Sequence, residues 1–330
     1  MHYRQLRVSR PPPIFELRVN SSLARMASQM TVPLLPQHLT NRLRDYLESM
    51  LLAENFPPTP HYIAMLLDSF LQLIKLGQDG KPFIYKKRNS ISLLFDISAL
   101  QSEMTLDAPD ELVLGYTQTM MGFLLFKPDP KKIGMVGLGG GSLTKFCYRH
   151  LSEATISVAE IDAGVIALRD QFHIPKDDDR LQVKCMDGKD FVRQADNQFD
   201  VLLVDGFDVK GQPPQLCSQH FYDDCFQALA PGGVMVVNLL GDVAETRIYI
   251  DRLHTAFCDA VIVIDALDSL NKIAFACKGE VPKLDNYTLK HRIGQLESKH
   301  PVILSLTAQS ILLARRAEEL PMQQNLLDTS

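Results

Sequence analysis

The chain has 330 residues, of which 46% are hydrophobic, and this size allows one large domain, alone or with a small one. Its 34 basic and 39 acidic residues give a formal net charge of −5, without the basic field that nucleic-acid binding requires. No apolar run approaches the roughly 20 residues of a membrane span, so we expect neither nucleic acid nor a membrane as a partner.

The six cysteines show no pairing pattern. None forms a CxxC motif, and no histidine lies at metal-ligand spacing from them. Four of the six fall in stretches that are typical of buried strands or helices. We therefore predict free thiols, no metal site, and a protein of the reducing cytoplasm.

Residues 1–30 form a basic leader with five arginines and one acidic residue, Glu16. The consecutive prolines of RPPPIFE exclude a continuous helix, and the apolar core of a signal peptide is missing. We interpret these residues as disordered, or as an over-long reading of a chain that starts at Met26 or Met30.

Residues 31–80 carry two amphipathic helical patterns, at 37–54 and at 59–77. Thr40 is a candidate N-cap for the first, and Gly77 ends the second. We predict a helical appendage here, and a role for it in self-association.

Residues 81–127 are predicted to form a small β-rich region followed by a helix. Two short β-like runs, KPFIYKK and SISLLFD, are separated by Arg88 and Asn89 and indicate a hairpin. The strongly apolar face of residues 110–126 predicts one helix, and KPDPKK then breaks the chain.

From 128 to 280, strand-like and helix-like runs alternate. The strand-like runs are IGMVGL, ATISVAEI, LQVKCMD, FDVLLVDGF, GGVMVVNLL, DAVIVIDA and KIAFACK. Their alternation with helices predicts an α/β fold, a Rossmann-like doubly wound and mostly parallel sheet. Continuous apolar strands fit burial on both faces. Residues 281–330 are predicted to form C-terminal helices.

The stretch IGMVGLGGGSLTKF ends the first strand of that sheet with a glycine-rich loop. Ligands of such sheets collect at the carboxyl ends of the strands, and glycine allows close approach to the backbone. The spacing Gly137-x-Gly139-x-Gly141 favours a nucleoside of the S-adenosylmethionine type. A dinucleotide fingerprint would need glycine at Ser142, and a nicotinamide dehydrogenase would need a catalytic histidine or Tyr–Lys pair that is not evident.

Three further features follow predicted strands. Glu160 and Asp162 end the second strand, where a carboxylate can accept hydrogen bonds from both ribose hydroxyls. Asp187, followed by Gly188, ends the third strand and can accept a hydrogen bond from an adenine amino group. LAPGG predicts a tight turn before a later strand. Together with the glycines, these features predict a nucleoside site.

Two carboxylates, Asp205 and Asp208, follow the buried apolar run FDVLLV. An acid at the carboxyl end of a parallel strand points into the ligand crevice. Two such acids near a bound sulfonium can hold a cationic amine and accept its proton as it attacks. The competing interpretation is that Asp205 only caps the following loop.

From about Leu94 to Gly279 the chain resembles the spermidine synthase family, the polyamine aminopropyltransferases, and especially their bacterial spermidine synthase-like branch. The resemblance lies in GLGGGS, VAEID, MDG, VDGFD with the following PPQLCSQHFY, and LAPGG. It implies the class I S-adenosylmethionine-dependent methyltransferase fold behind a small N-terminal β-rich region, and it implies homodimers or larger oligomers.

The resemblance also implies roles for single residues. Gln101, at the end of a hairpin motif, would contact the nucleoside of decarboxylated S-adenosylmethionine or its product, methylthioadenosine. Glu160 would hold the ribose and Asp187 the adenine. Asp205 would act as the base, and Asp208 would anchor the amine of a putrescine-like substrate.

Two departures from the family pattern leave other donors open. The family motif GGGDG has an Asp that holds the ammonium group of the aminopropyl donor, where this chain has Gly140. The Tyr-His or Tyr-Gln pair that grips the polyamine is replaced by Leu114 and Gly115, with Tyr116 one step away as a substitute.

These departures give three hypotheses. An Asp would repel the carboxylate of ordinary S-adenosylmethionine by roughly 4 kcal/mol across ~4 Å, and Gly140 removes that repulsion. We therefore rank aminopropyl transfer to an amine first and methyl transfer from S-adenosylmethionine to a small molecule second. A non-catalytic nucleoside-binding scaffold is the third.

Overall fold

The structure is a computed structural model that describes residues 81–327, apart from 87, 97–98, 209–210, 242–243, 268 and 283–285. The predicted leader and helical appendage, residues 1–80, lie outside the described residues. The described part contains a small antiparallel sheet and a large, mostly parallel sheet with helices on both faces.

The small sheet has three antiparallel strands, β1 (Phe83–Lys86), β2 (Ser90–Asp96) and β3 (Ala99–Thr105). The predicted hairpin is confirmed, since Phe83 pairs with Leu94 across β1 and β2. Leu93 and Met104 are buried in the same core as side chains of the large sheet. The small sheet is therefore packed against the fold that carries the site.

The helix predicted over 110–126 is shorter in the structure. Helix α1 covers Gly115–Met120, and a 3₁₀ segment, Met121–Leu125, continues it. Leu112 is buried although its backbone is not helical. The prediction was wrong for the first residues because an apolar pattern reports burial, which irregular backbone can also provide.

The large sheet has seven strands in the order β6-β5-β4-β7-β8-β10-β9. They are β4 (Lys132–Val136), β5 (Thr155–Glu160), β6 (Leu181–Cys185), β7 (Phe199–Val204), β8 (Leu229–Leu239), β9 (Val261–Asp265) and β10 (Lys272–Cys277). Strands β4 to β8 are parallel, and β10 is antiparallel to both of its neighbours. The predicted doubly wound, mostly parallel sheet is confirmed.

Seven further helices follow these strands. They are α2 (Ser142–His150), α3 (Ala163–Ala167), α4 (Gly188–Arg193), α5 (Gln219–Ala228), α6 (Ala244–Ala256), α7 (Asn286–Lys299) and α8 (Ser305–Leu327). The last two are the helices expected after Pro282. Within the described ranges, none of the helices is both long enough and apolar enough to cross a membrane.

Strand β7 shows why its sequence is continuously apolar. Val201 and Leu203 pack into the core on one face of the sheet, whereas Leu202 and Val204 pack into the core on the other. A central parallel strand is thus buried on both faces. The polar residues that follow such strands are left at the carboxyl edge.

The LAPGG motif interrupts the regular pairing of β8 with β7 at the start of β8. Phe199 pairs with Leu229, but the next pair is Val201 with Val234, so four residues of β8 lie opposite one residue of β7. Gly232 has φ +71°, in the left-handed region. The predicted turn is therefore accommodated inside one long strand.

Candidate active site

A cavity of about 590 Å³ opens at the carboxyl ends of the central parallel strands. Its volume is typical of small-molecule sites, and its place is the one expected for a doubly wound sheet. Strand β3 and helix α1 also contribute to its wall, through Ser102 and Tyr116. Eight residues predicted from the sequence line it: Gln101, Gly137, Gly139, Glu160, Asp187, Gly188, Asp205 and Asp208.

Two predicted residues, Gly141 and Asp162, lie outside the cavity lining. A Cβ at Gly141 would lie 2.5 Å from Ile174 Cδ1, so this glycine permits packing against Ile174. Asp162 is the N-cap of α3, and its Oδ1 accepts a hydrogen bond of 2.7 Å from the Gly164 amide. Their role in cofactor binding stays a prediction.

Gly137 and Gly139 both have positive φ, +95° and +52°, but they serve different contacts. A Cβ at Gly137 would lie 2.2 Å from the carbonyl oxygen of Asp205, so glycine lets the ends of β4 and β7 approach each other. A Cβ at Gly139 would meet only Ser102 Cβ, at 4.0 Å. Gly139 lines the cavity, so the absence of a side chain here leaves open space beside the backbone.

Glu160 is fixed by the backbone around it. Its Oε2 accepts a hydrogen bond from the Leu138 amide and its Oε1 from the Asp162 amide, both at 2.9 Å. The residue is 8% exposed and lines the cavity. Because each carboxylate oxygen has a second lone pair, this rigid group can still accept hydrogen bonds from a diol.

Asp187 and Asp208 present further carboxylates to the cavity. Asp187 is half-buried, and its Oδ1 accepts a hydrogen bond of 2.9 Å from the Lys189 amide as the N-cap of α4. Asp208 is exposed, and its backbone pairs with that of Gly211 at 2.9 and 3.2 Å. Both carboxylates are placed where a ligand can reach them.

Asp205 is held on both carboxylate oxygens. Asn238 Nδ2 donates to Oδ1 at 2.9 Å, and the Tyr116 hydroxyl donates to Oδ2 at 3.1 Å. Burial raises the pKa of Asp205, and these two hydrogen bonds oppose the rise. Asp205 is therefore a more basic carboxylate than one in water, and it is fixed in one orientation.

Asn238 is itself held in place by further hydrogen bonds. It is 2% exposed, and its Oδ1 accepts a hydrogen bond of 2.9 Å from Asn271 Nδ2. Its backbone carbonyl accepts a hydrogen bond of 3.1 Å from Gln212 Nε2. Asn238 and Asn271 both line the cavity. Together they form a chain of two side-chain amides that is hydrogen-bonded to the carboxylate of Asp205.

The surroundings of Gly140 explain why this position has no side chain. A Cβ there would lie 2.6 Å from Ser102 Oγ and 3.0 Å from Phe172 Cδ1. Ser102 Oγ also lies 3.3 Å from Ser142 Oγ, within hydrogen-bonding distance. The hydroxyl of Ser102, which lines the cavity, takes up the space that an acid at position 140 would need.

Sequence reasoning missed part of this arrangement. Asn238 had a usable signal, because it is a polar residue at the end of the apolar run VMVV of β8, at the carboxyl edge. Tyr116 was noted only as a substitute in a family pattern. Asn271 and Ser102 had no signal, since their roles depend on contacts between distant segments.

All the charged side chains among the described residues that line the cavity are acidic. The carboxylates are Glu160, Asp187, Asp205 and Asp208, and the described lining includes no lysine or arginine. A low-dielectric cleft lined by one sign of charge attracts ligands of the opposite sign. The site is therefore suited to a cationic ligand.

Comparison with known proteins agrees with this arrangement. Residues 113–266 match the family model of the spermine/spermidine synthase domain. A polyamine aminopropyltransferase of Chromobacterium violaceum is 36% identical over 218 residues, which cover 66% of this chain and 83% of that protein.

Two solved structures share the fold. A spermidine synthase in complex with the transition-state analogue AdoDATO is 20% identical, with a TM-score of 0.56 over 72% of this chain and 87% of that one. Human methyltransferase-like protein 13 in complex with SAH is 24% identical, with a TM-score of 0.50 over 56% of this chain and 91% of that one. The fold is thus that of class I methyltransferases and spermidine synthases, and the chain belongs to the spermine/spermidine synthase family of polyamine aminopropyltransferases.

Proposed function

We propose that this protein transfers an aminopropyl group from decarboxylated S-adenosylmethionine to a small amine, a step of polyamine biosynthesis. The observation that supports this most strongly is that every charged residue of the described cavity lining is acidic, with Asp205 fixed between two donors. Both substrates of such a reaction are cations, and the donor lacks a carboxylate. Membership of the aminopropyltransferase family supports the same reaction.

The nucleoside would lie along the glycine loop and the ends of β5 and β6. Gly139 leaves room for it above the backbone. The backbone-fixed carboxylate of Glu160 suits two ribose hydroxyls, and Asp187 suits an adenine amino group. Gln101 lines the same cavity from β3, and we propose that it contacts the nucleoside as well.

Asp205 would take the proton that the attacking amine loses. When bound, the donor supplies a carbon activated by the adjoining sulfonium, with methylthioadenosine as the leaving group. Burial strengthens Asp205 as a base, while the hydrogen bonds from Asn238 and Tyr116 favour its ionised form. The protein contributes positioning and deprotonation, which are what a displacement of this kind needs.

Asp208 would hold the amine substrate. Its carboxylate lines the cavity close in sequence to Asp205, so the two acids offer a cationic substrate both an anchor and a base. A putrescine-like diamine, with one amine to attack and another to be anchored, matches this pair.

Methyl transfer from S-adenosylmethionine is a second candidate, and Gly140 is the observation that favours it. The absence of an acid there removes a repulsion toward the methionine carboxylate. Ser102 fills that space, however, and the described lining offers that carboxylate no basic partner. These features weaken the second candidate.

Product analysis separates the hypotheses. Purified protein is incubated with either donor plus putrescine, with the Asp205→Asn variant as control. Methylthioadenosine that depends on Asp205 supports aminopropyl transfer, and S-adenosylhomocysteine supports methyl transfer. Nucleoside binding without either product would support the scaffold hypothesis instead.

We also propose that the protein acts in the cytoplasm as a homodimer or larger oligomer. All six cysteines are free thiols, which supports a reducing compartment. The oligomer is an expectation from the family resemblance. Size-exclusion chromatography with light scattering would measure it directly.

A further inference from the structure

We propose that Asn271 is a positioning residue of the active site, which acts through Asn238 to hold the carboxylate of Asp205 in one orientation. This inference rests on the proposed role of Asp205 as the base. It adds a residue from the turn between β9 and β10, which is outside every motif that the sequence analysis singled out.

The inference starts from a chain of three side chains. Asn271 Nδ2 donates to Asn238 Oδ1 at 2.9 Å, and Asn238 Nδ2 donates to Asp205 Oδ1 at 2.9 Å. Each link joins residues that are 33 positions apart in the sequence. Asn238 is 2% exposed, so the loss of either partner leaves a buried polar atom of its amide without that hydrogen bond.

The amide of Asn238 needs both partners to stay in its orientation. A primary amide has one face that donates and one that accepts, and rotation by half a turn exchanges them. Only one orientation turns the donating face toward Asp205 and the accepting face toward Asn271. Without Asn271, the accepting oxygen loses its partner, and one of the two hydrogen bonds that fix the amide toward Asp205 is gone.

The turn that carries Asn271 is also tied to the helix that carries Tyr116. The Leu267 amide donates to Thr119 Oγ1 of α1 at 3.0 Å, and the Ala266 amide donates to the Asn271 carbonyl at 2.8 Å. Thr119 is fully buried. The turn between β9 and β10 thus links, through Asn271 and Thr119, the two segments that donate to Asp205.

The test removes the donor at position 271 with two variants of different size, Asn271→Leu and Asn271→Ala. Ser269→Ala is the matched control, because Ser269 Oγ accepts only a 3.3 Å bond from the Asn271 amide in the same turn. We expect kcat/KM to fall about three- to tenfold in both variants, the effect of one lost hydrogen bond. The acidic limb of the pH–rate profile should move to higher pH, while methylthioadenosine affinity stays unchanged.

A second readout does not depend on activity. The titration of Asp205 is followed by carboxyl ¹³C NMR and assigned with Asp205→Asn. The other titratable groups among the described residues that line the cavity are Tyr116, Glu160, Asp187 and Asp208, and all four are retained in every variant. We expect the midpoint of Asp205 to rise in both Asn271 variants and to stay in place in Ser269→Ala.

A double-mutant cycle decides whether Asn271 acts through Asn238. In the Asn238→Ala background, Asn271→Leu should cause no further change in the Asp205 titration. Shifts that add, or a midpoint unchanged by either Asn271 variant, would overturn the inference. A wild-type protein that transfers no aminopropyl group would count against the proposed function, and the NMR titration would still decide the role of Asn271.

Discussion

The hydroxyl of Tyr116 donates a hydrogen bond of 3.1 Å to Asp205 Oδ2 and so joins two segments that are 89 residues apart. Burial is the largest cause that raises the pKa of each partner, and the charge of Asp205 raises the pKa of Tyr116 further. Tyr116 therefore stays neutral and remains a donor. This chain has Leu114 and Gly115 in place of the pair that the family pattern predicts, and the structure brings the next residue, Tyr116, to the carboxylate.

Removing that hydroxyl should reduce the fraction of Asp205 that is ionised and able to act as the base. Donation from Tyr116 lowers the pKa of Asp205, so Tyr116→Phe should raise it and shift the acidic limb of the pH–rate profile upward. We expect a loss of about tenfold in kcat/KM at pH 7. Tyr148→Phe is the matched control, because Tyr148 makes a similar bond of 2.6 Å to Asp178 away from the cavity. Equal losses in both variants would contradict the prediction.

Asp205→Asn should slow transfer strongly and remove the pH dependence of stability that Asp205 causes. An amide cannot accept the proton, so kcat/KM should fall by about 10²- to 10⁴-fold. The folded state binds the Asp205 proton more tightly than the unfolded chain, so ionisation of Asp205 costs stability as pH rises. The variant should gain stability relative to the wild type from about pH 4 upward, until the raised folded pKa is passed. Thermal melts across this pH range measure the difference in stability; a difference that stays constant from about pH 4 upward would contradict the prediction.

Alanine substitutions at Gly137 and Gly139 should have different effects, the first on stability and the second on ligand binding. In Gly137→Ala the new methyl collides with the Asp205 carbonyl, so we expect a large loss of thermal stability. In Gly139→Ala the methyl faces the cavity, and only the strain of a left-handed backbone, about 1–2 kcal/mol, acts on the fold. Gly139→Ala should therefore stay folded and lose affinity for methylthioadenosine. Calorimetric titration and melting curves of both variants test this contrast.

Introducing the family's Asp at position 140 should be tolerated only if the side chain of Ser102 is removed as well. Gly140→Asp alone places its Cβ 2.6 Å from Ser102 Oγ and should destabilise the protein by about 1–3 kcal/mol. Ser102→Gly combined with Gly140→Asp should recover that stability and increase discrimination against S-adenosylmethionine. Equal melting temperatures of the single and double variants would show that Ser102 does not limit this position.

The sheet and its order of elements were predictable because their signals are local. Runs such as FDVLLV are apolar because both of their faces are buried, as Leu202 and Leu203 show. The C-terminal helices predicted over residues 281–330 are present as α7 and α8. The helix at 110–126 was predicted too long because burial of Leu112 does not require helical backbone.

The sequence by itself determined that acids and glycines would gather at one edge of a parallel sheet, because strand ends of known direction meet there. Only the tertiary structure decided what each of them faces. Several contacts join segments between 33 and 89 residues apart. They are the hydrogen bonds of Asp205 to Tyr116 and Asn238, that of Asn271 to Asn238, and the approach of Ser102 to Gly140. Such contacts depend on side-chain packing between segments, which no local pattern encodes.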